Sequence, residues 1–173
     1  MSGTGEGESG MCRYCSIALE PRIERALRVT QEGLKQMTDA FLPERYELHM
    51  TFLFFGKDFM LTKEQRQMIV NRLLEIPADQ RVLRPVGARV MSVQDGRAVV
   101  AIAFGENPAL TKLKKELGEM LGVRDRFPGF LPHVTIGKLR KWYTGRELPS
   151  MDRMFGENDL SFTVESIRFH RQR

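Results

Sequence analysis

One short pattern occurs twice in this sequence, each time inside a run of residues typical of a β-strand. The copies are His49–Phe52 and His133–Ile136, and each reads histidine, any residue, threonine, apolar residue. Side chains alternate between the two faces of a strand. The histidine and threonine of each copy are therefore expected to point the same way.

The surroundings of the two copies repeat as well. The copies lie about half the chain apart, and each follows a strand and a helix of similar length. This order predicts an α+β chain of two pseudo-symmetric lobes, each with an antiparallel sheet and a helix pair. The predicted strands are 13–19, 46–55, 86–93, 98–104, 132–139 and 162–169.

Turn and capping residues give the other boundaries. Pro21 is expected to start a first helix that runs to about residue 40, with Pro43 ending it. Thr62 is expected to cap the second helix, and a third runs from Asn107 to Gly122. Asp-Gly at 95–96 predicts a hairpin between two strands. The strand at 46–55 is apolar on both faces, which predicts a central and buried position.

Length and composition place limits on the chain. Its 173 residues, 42% hydrophobic, suffice for one domain at 11–173, preceded by a disordered Gly/Ser/Glu-rich tail at 1–10. There is neither a signal-peptide pattern nor an apolar run near the ~20 residues of a membrane helix. We therefore expect a cytoplasmic or nuclear monomer that does not bind membranes. The net charge of +5 gives weak support for a polyanionic partner.

Cys12 and Cys15 form the only C-x-x-C pair. A zinc site would need a second pair of ligands at suitable spacing, and the sequence lacks one. We expect two partly buried thiols and no metal or cofactor.

Two imidazoles and two hydroxyls brought together would suit one kind of chemistry. Either copy alone is more typical of a histidine hydrogen-bonded within a sheet, beside a threonine that favours a strand. Together they supply a base, an acid and two donors, which suffice to hydrolyse a phosphodiester without metal.

These residues also carry a resemblance to a known family. The two patterns, with the segment Leu48–Gly56 and with Pro132 before His133, resemble the 2H phosphoesterases, especially the RNA 2′,3′-cyclic phosphodiesterases once called 2′-5′ RNA ligases. The resemblance covers nearly the whole chain from Arg13. Two departures concern residues beside the patterns: Arg45-Tyr46 lies closer to His49 than the family's Arg-Trp pair, and Gly137-Lys138 replaces a common Ala-Arg.

The resemblance implies a fold and a mechanism. Two sheets, with helices on their outer faces, would face each other across a groove, and the substrate would be an RNA or nucleotide with a 2′,3′-cyclic phosphate. One histidine would take a proton from water and the other would protonate the leaving ribose oxygen, with His133 as base and His49 as acid. Thr51 and Thr135 would bind the non-bridging oxygens.

Flanking residues are weaker candidates for substrate binding. Basic side chains would take neighbouring phosphates, and aromatic rings would stack on bases. The candidates are Tyr14, Lys138, Arg140, Trp142, Tyr143 and Phe130. His170 lacks a companion threonine, and we expect it to be a solvated residue without a role.

Three other activities remain open from the sequence. Cleavage of 2′-5′ oligoadenylate linkages and trimming of RNA 3′ ends would use the same two histidines. A non-catalytic RNA-binding module would keep the fold without turnover, although the intact threonines argue against such decay.

Overall fold

The computed structural model describes residues 10–92, 98–124, 129–140 and 160–171. Within these ranges the chain forms helices and short antiparallel strands, as an α+β fold requires. The helices are α1 (Pro21–Met37), α2 (Lys63–Glu75) and α3 (Pro108–Leu121), with a 3-10 turn at Ala78–Gln80. The strands are β1 (Gly10–Met11), β2 (Tyr14–Ile17), β3 (Phe41–Pro43), β4 (Met50–Phe54), β5 (Met60–Leu61), β6 (Val82–Leu83), β7 (Pro85–Ser92), β8 (Ala98–Phe104), β9 (His133–Leu139), β10 (Phe162–Thr163) and β11 (Ile167–His170).

Two antiparallel sheets position the repeated patterns. One has the order β11-β2-β4 and the other β3-β9-β8-β7, with two-stranded pairs β1-β5 and β10-β6 beside them. The patterned strands β4 and β9 belong to different sheets, and their Cα atoms approach within 8 Å. The predicted fold class, with antiparallel sheets and packed helices, is confirmed.

The lobes are interleaved rather than formed by one half of the chain each. Strand β3, from the first half, pairs with β9, and β11, from the end of the chain, pairs with β2. Helix α1 lies against β3 and β9, whereas α3 packs on α2 and β4. The prediction of a helix pair for each half is therefore wrong for the described residues. The apolar face of α1 covers the sheet that contains the second pattern.

The first helix ends earlier than predicted. It stops at Met37, and Thr38 is already extended at φ −154°. Residues Phe41–Pro43 form β3 instead, because the buried Phe41 pairs with Leu139 at the edge of the second sheet. Met37, which the helical period placed on the inner face, is 52% exposed.

Strand β4 is buried but lies at the edge of its sheet. Met50, Phe52 and Leu53 are at most 1% exposed, as predicted, yet only β2 pairs with β4 among the described strands. The predicted central position in the sheet is wrong. The apolar side chains of β4 are buried by contacts with β9 and the helices rather than by a strand on each side. The strand also begins at Met50 rather than Tyr46, since β2 ends at Ile17, the partner of Met50.

The capping residues act as the sequence predicts. Thr62 and Gln65 form a reciprocal capping box at the start of α2. The Asn107 side chain accepts a hydrogen bond from the Leu110 amide, and Gly122 ends α3 at φ 65°.

Strands β7 and β8 pair as the predicted hairpin, although its turn lies outside the described residues. The last predicted strand is interrupted, because the Val164 amide bonds to the Arg81 carbonyl between β10 and β11.

Gly137 lies where β3 approaches β9 most closely. A Cβ atom on this residue would lie 2.5 Å from the Leu42 carbonyl oxygen and would overlap the Phe41 ring. This contact accounts for glycine directly after the second pattern. The departure from the family's alanine is therefore a packing requirement of this chain.

We expect Gly137→Ala to destabilise the protein by about 1–3 kcal/mol, because β3 must move to admit the methyl group. Urea unfolding measures this change as a lower midpoint. Gly129→Ala is the matched control, since nothing lies within 4 Å of a Cβ built at Gly129. Equal midpoints for the two variants would contradict the packing argument.

Candidate active site

The two patterns present the same face to solvent. In each, the histidine and threonine are half-buried, whereas the apolar residues between and after them are fully buried. Strand alternation produces this arrangement, as predicted. The half-buried set is His49, Thr51, His133 and Thr135, and the buried set is Met50, Phe52, Val134 and Ile136.

A bulge follows the threonine in both patterns. The pairing of β2 with β4 skips Phe52, and the pairing of β8 with β9 skips Ile136. Each skipped residue is the fourth position of its pattern. A bulge re-aims the side chains that follow it and is common beside active sites. The repeat thus extends to backbone geometry, which the sequence did not predict.

Both histidines are held by the same local hydrogen bond. His49 Nδ1 lies 3.3 Å from the Glu47 carbonyl oxygen, and His133 Nδ1 lies 2.8 Å from the Leu131 carbonyl oxygen. A carbonyl oxygen only accepts, so Nδ1 carries the hydrogen in both rings. Proton exchange with a substrate is therefore left to Nε2 of each ring.

Strand β4 packs beside β9, so the two patterns lie on neighbouring strands of different sheets. Both strands bury their other face in the core, where the Phe52 ring meets the Phe130 ring edge-on at 5.2 Å. We therefore take His49, Thr51, His133 and Thr135 as the candidates for one site.

Helix α1 supports the second pattern through Gln31. This side chain is 3% exposed, and its Nε2 donates to the Ile136 carbonyl oxygen at 2.7 Å. The Glu44 amide donates to the same oxygen. The buried carbonyl at the bulge after Thr135 is therefore satisfied by α1 together with the segment that follows β3. Sequence reasoning missed Gln31, because a polar residue on a helix gives no sign of what it bonds.

Tyr14, a predicted substrate-binding residue, lies beside His49. Its ring centroid is 5.3 Å from that of His49. Lys138 is exposed, while its neighbours Gly137 and Leu139 are buried, so it points away from the core on the side of Thr135. Lys138 is three residue steps from Thr135, so at about 3.3 Å a step it lies about 10 Å further along β9. It is placed for a flanking group rather than for the reacting phosphate.

Two of the remaining flanking candidates, Arg140 and Phe130, make their contacts elsewhere. Arg140 lies beyond the end of β9, and its Nε donates to the Asp39 carbonyl oxygen at 2.9 Å. Phe130 is 4% exposed and packs on Phe52, so the expectation that it stacks on a base is corrected: its ring belongs to the core. Trp142 and Tyr143 lie outside the described residues.

His170 is the main correction at this site. The expectation of a solvated side chain is wrong, because its ring stacks on Tyr14 at 4.4 Å and lies 5.8 Å from the His49 ring. Its Nε2 is 2.6 Å from the hydroxyl oxygen of the buried Ser16. Burial lowers the pKa of His170, and positive charge on His49 lowers it further. Pairing of β11 with β2 brings this residue in from the end of the chain.

A second link ties β11 to the first pattern. Arg168 pairs with the carboxylate of Glu47, whose backbone carbonyl oxygen receives the His49 Nδ1 hydrogen bond.

On the other sheet, Ala101 and Ala103 lie opposite Thr135 and His133. Cross-strand neighbours share a face, and these small residues leave room beside the second pattern.

The cysteines are not part of the site. Cys12 and Cys15 are buried thiols without a disulfide, and burial raises the pKa of both. Within the described ranges no three His, Cys, Asp or Glu side chains are grouped to hold a metal ion. Those ranges also contain no helix with the length and apolar character needed to cross a membrane.

The fold matches that of solved phosphoesterases. Escherichia coli LigT complexed with 3′-AMP is similar at a TM-score of 0.56 and 16% identity, over 94% of this chain and 95% of that chain. Apo LigT gives 0.52 and 16%, over 95% and 96%. A structure described as a phosphoesterase gives 0.52 and 16%, over 95% and 97%. No protein-family model matches the sequence, and no curated protein is significantly similar to it.

The comparisons establish the architectural class. The chain has a LigT-like α+β fold along nearly its whole length. The resemblance to the 2H phosphoesterases, predicted from two short patterns, is confirmed at the level of the fold.

Proposed function

We propose that this protein is a metal-independent phosphodiester hydrolase that opens 2′,3′-cyclic phosphates on RNA or nucleotides. One observation carries the proposal. Two half-buried histidines, each with Nδ1 bonded to the carbonyl oxygen two residues earlier and with a threonine on the same face of its own strand, stand at strands β4 and β9, which pack beside each other. The LigT-like fold supports a phosphoesterase in general.

The reaction needs one proton acceptor and one proton donor. Neutral His133 takes a proton at Nε2 from water as the water oxygen bonds to phosphorus. The bond from phosphorus to one ribose oxygen breaks, and protonated His49 supplies that oxygen with a proton from its Nε2. Thr51 and Thr135 donate to the non-bridging oxygens as charge builds up on them. The product is a monophosphate, and solvent returns both histidines to their starting protonation states.

We assign His49 as the acid. Its ring centroid lies 5.3 Å from that of Tyr14 and 5.8 Å from that of His170. The surroundings of His133 are small residues of β8, which leave space for a water molecule.

The proposed substrate is an RNA end or a nucleotide. LigT was solved with 3′-AMP, a nucleotide that such a hydrolysis would release if the 2′ oxygen left. The net charge of +5 and the exposed Lys138 suit a phosphorylated ligand. We propose that the protein works as a cytoplasmic or nuclear monomer.

A comparison of separate substrates tests the assignment. The protein is incubated separately with the four nucleoside 2′,3′-cyclic monophosphates, an RNA ending in a cyclic phosphate, a 2′-5′ oligoadenylate and an RNA ending in a 3′ hydroxyl. We expect kcat/KM to be highest for a cyclic phosphate. Preference for the oligoadenylate or for trimming of the hydroxyl end would replace the proposal with that activity. Salt-dependent RNA binding without any product would identify a binding module.

Metal independence is a separate prediction. We expect activity to be unchanged after dialysis against EDTA, since imidazoles and hydroxyls supply every group in the scheme. Rates are measured before and after dialysis, and after adding Mg²⁺, Mn²⁺ or Zn²⁺. Loss of activity that one of these ions restores would contradict the scheme.

A further inference from the structure

A third histidine completes an aromatic corner next to the first pattern. His170 and Tyr14 are stacked nearly parallel, with ring centroids 4.4 Å apart and an angle of 13° between their planes. The His49 ring lies 5.3 Å from Tyr14 and 5.8 Å from His170. All three rings belong to strands of the first sheet or to the residue just before β4. Two of the three histidines in the chain therefore share one corner of the site.

Hydrogen bonding fixes the orientation of His170. Its Nε2 lies 2.6 Å from the Ser16 hydroxyl oxygen, and Ser16 is 1% exposed. Ser16 lies opposite Thr51 across the pairing of β2 with β4. The bulge at Phe52 brings this row of residues to the same face. The ring of His170 is thus set by the strand that also positions the first pattern.

The charged groups around His170 come from two parts of the fold. Glu47 and His49 lie on the segment before β4, and Arg168 is two residues earlier on β11. The Cys12 thiol, which also approaches the His170 backbone, is uncharged because burial raises its pKa. Glu47 and Arg168 pair with each other, so their charges largely offset. The group whose charge state bears most directly on His170 is therefore His49.

We propose that His170 is a positioning residue for His49: its ring, hydrogen-bonded to Ser16 and stacked on Tyr14, forms a fixed wall that keeps the His49 ring in place. The inference rests on the proposed function, in which His49 is the acid. It deepens that function by assigning a role to a side chain outside both patterns.

Electrostatics supports the same assignment. Burial lowers the pKa of His170, positive charge on His49 and then on Arg168 lowers it further, and Glu47 acts in the opposite direction. On acidification His170 therefore resists protonation and stays a neutral ring beside His49. Two imidazolium groups this close would repel each other.

The titration of His170 tests the proposal without substrate. The chain has three histidines, so proton–nitrogen NMR spectra resolve each imidazole across a pH series. We expect the pKa of His170 to be below the ordinary value of about 6.5. It should rise in His49→Gln, which removes the neighbouring charge, and should not change in His133→Gln. A His170 pKa at or above the ordinary value, or unmoved in His49→Gln, would overturn the proposal.

Turnover supplies an independent readout. His170→Ala should lower kcat by about 10–100-fold with little change in KM, because His49 loses its fixed neighbour. His170→Phe should restore most of that loss, since it keeps a neutral ring on Tyr14. Wild-type kcat in the alanine variant, or no restoration by phenylalanine, would overturn the positioning role. A wild-type protein without turnover would refute the proposed function instead. The NMR titration of His170 would then still test the positioning role.

Discussion

Replacing either patterned histidine should nearly abolish turnover. We expect His49→Ala and His133→Ala each to lower kcat by about 10²–10⁴-fold, the usual loss when a general acid or base is removed. In the proposed scheme one imidazole accepts a proton and the other donates one. No other side chain in the described part of the site has the same Nδ1–carbonyl hydrogen bond and could replace either ring. Steady-state kinetics on a 2′,3′-cyclic nucleotide measures the loss. The double variant should lose far less than the product of the two single losses, because the two groups act in one step.

These variants should remain folded. Each ring is half-buried and its Nδ1 bonds to one carbonyl, a contact that contributes about 0.5–1.5 kcal/mol. Thermal unfolding of each variant provides the control. Two single variants with wild-type kcat would show that the chemistry lies elsewhere.

Removing the threonine hydroxyls should have the second-largest effect. We expect Thr51→Val and Thr135→Val to lower kcat by about 10–10³-fold, because each deletes one donor to the phosphoryl oxygens. Valine keeps the branched shape that suits a strand, so the change isolates the hydroxyl. Serine at either position should retain most of the activity.

Thr163→Val is the matched control for that experiment. Thr163 is a half-buried strand threonine on β10, a strand that pairs only with β6 among the described residues. Its replacement should leave kcat unchanged. If valine at 51 or 135 were as harmless as at 163, the hydroxyls would have no part in catalysis.

Local sequence signals predicted much of the framework. Thr62, Asn107 and Gly122 act at helix ends through bonds to residues a few positions away, so their neighbours in sequence suffice to identify them. The His-x-Thr spacing likewise fixes which side chains share a strand face. Both kinds of signal are short-range, and both were correct.

The errors arose where distant segments meet. Residues 38–40 were predicted to end the first helix, but Phe41–Pro43 pairs with β9, nearly a hundred residues later, and the chain is already extended at Thr38. His170 looks like part of a basic terminus until β11 pairs with β2 and stacks it on Tyr14. Phe130 was a candidate for stacking on a base, but its ring packs on Phe52. Such contacts depend on tertiary pairing, which no local pattern contains.

The most direct test of the central claim is hydrolysis of a 2′,3′-cyclic nucleotide in water enriched in ¹⁸O, with EDTA present, followed by ³¹P NMR. The account predicts one monophosphate isomer with a single ¹⁸O on phosphorus from the wild-type protein, and no product from the His49→Ala/His133→Ala double variant. The isomer identifies which ribose oxygen leaves. No product from the wild-type protein, or the same rate from the double variant, would contradict two-histidine hydrolysis.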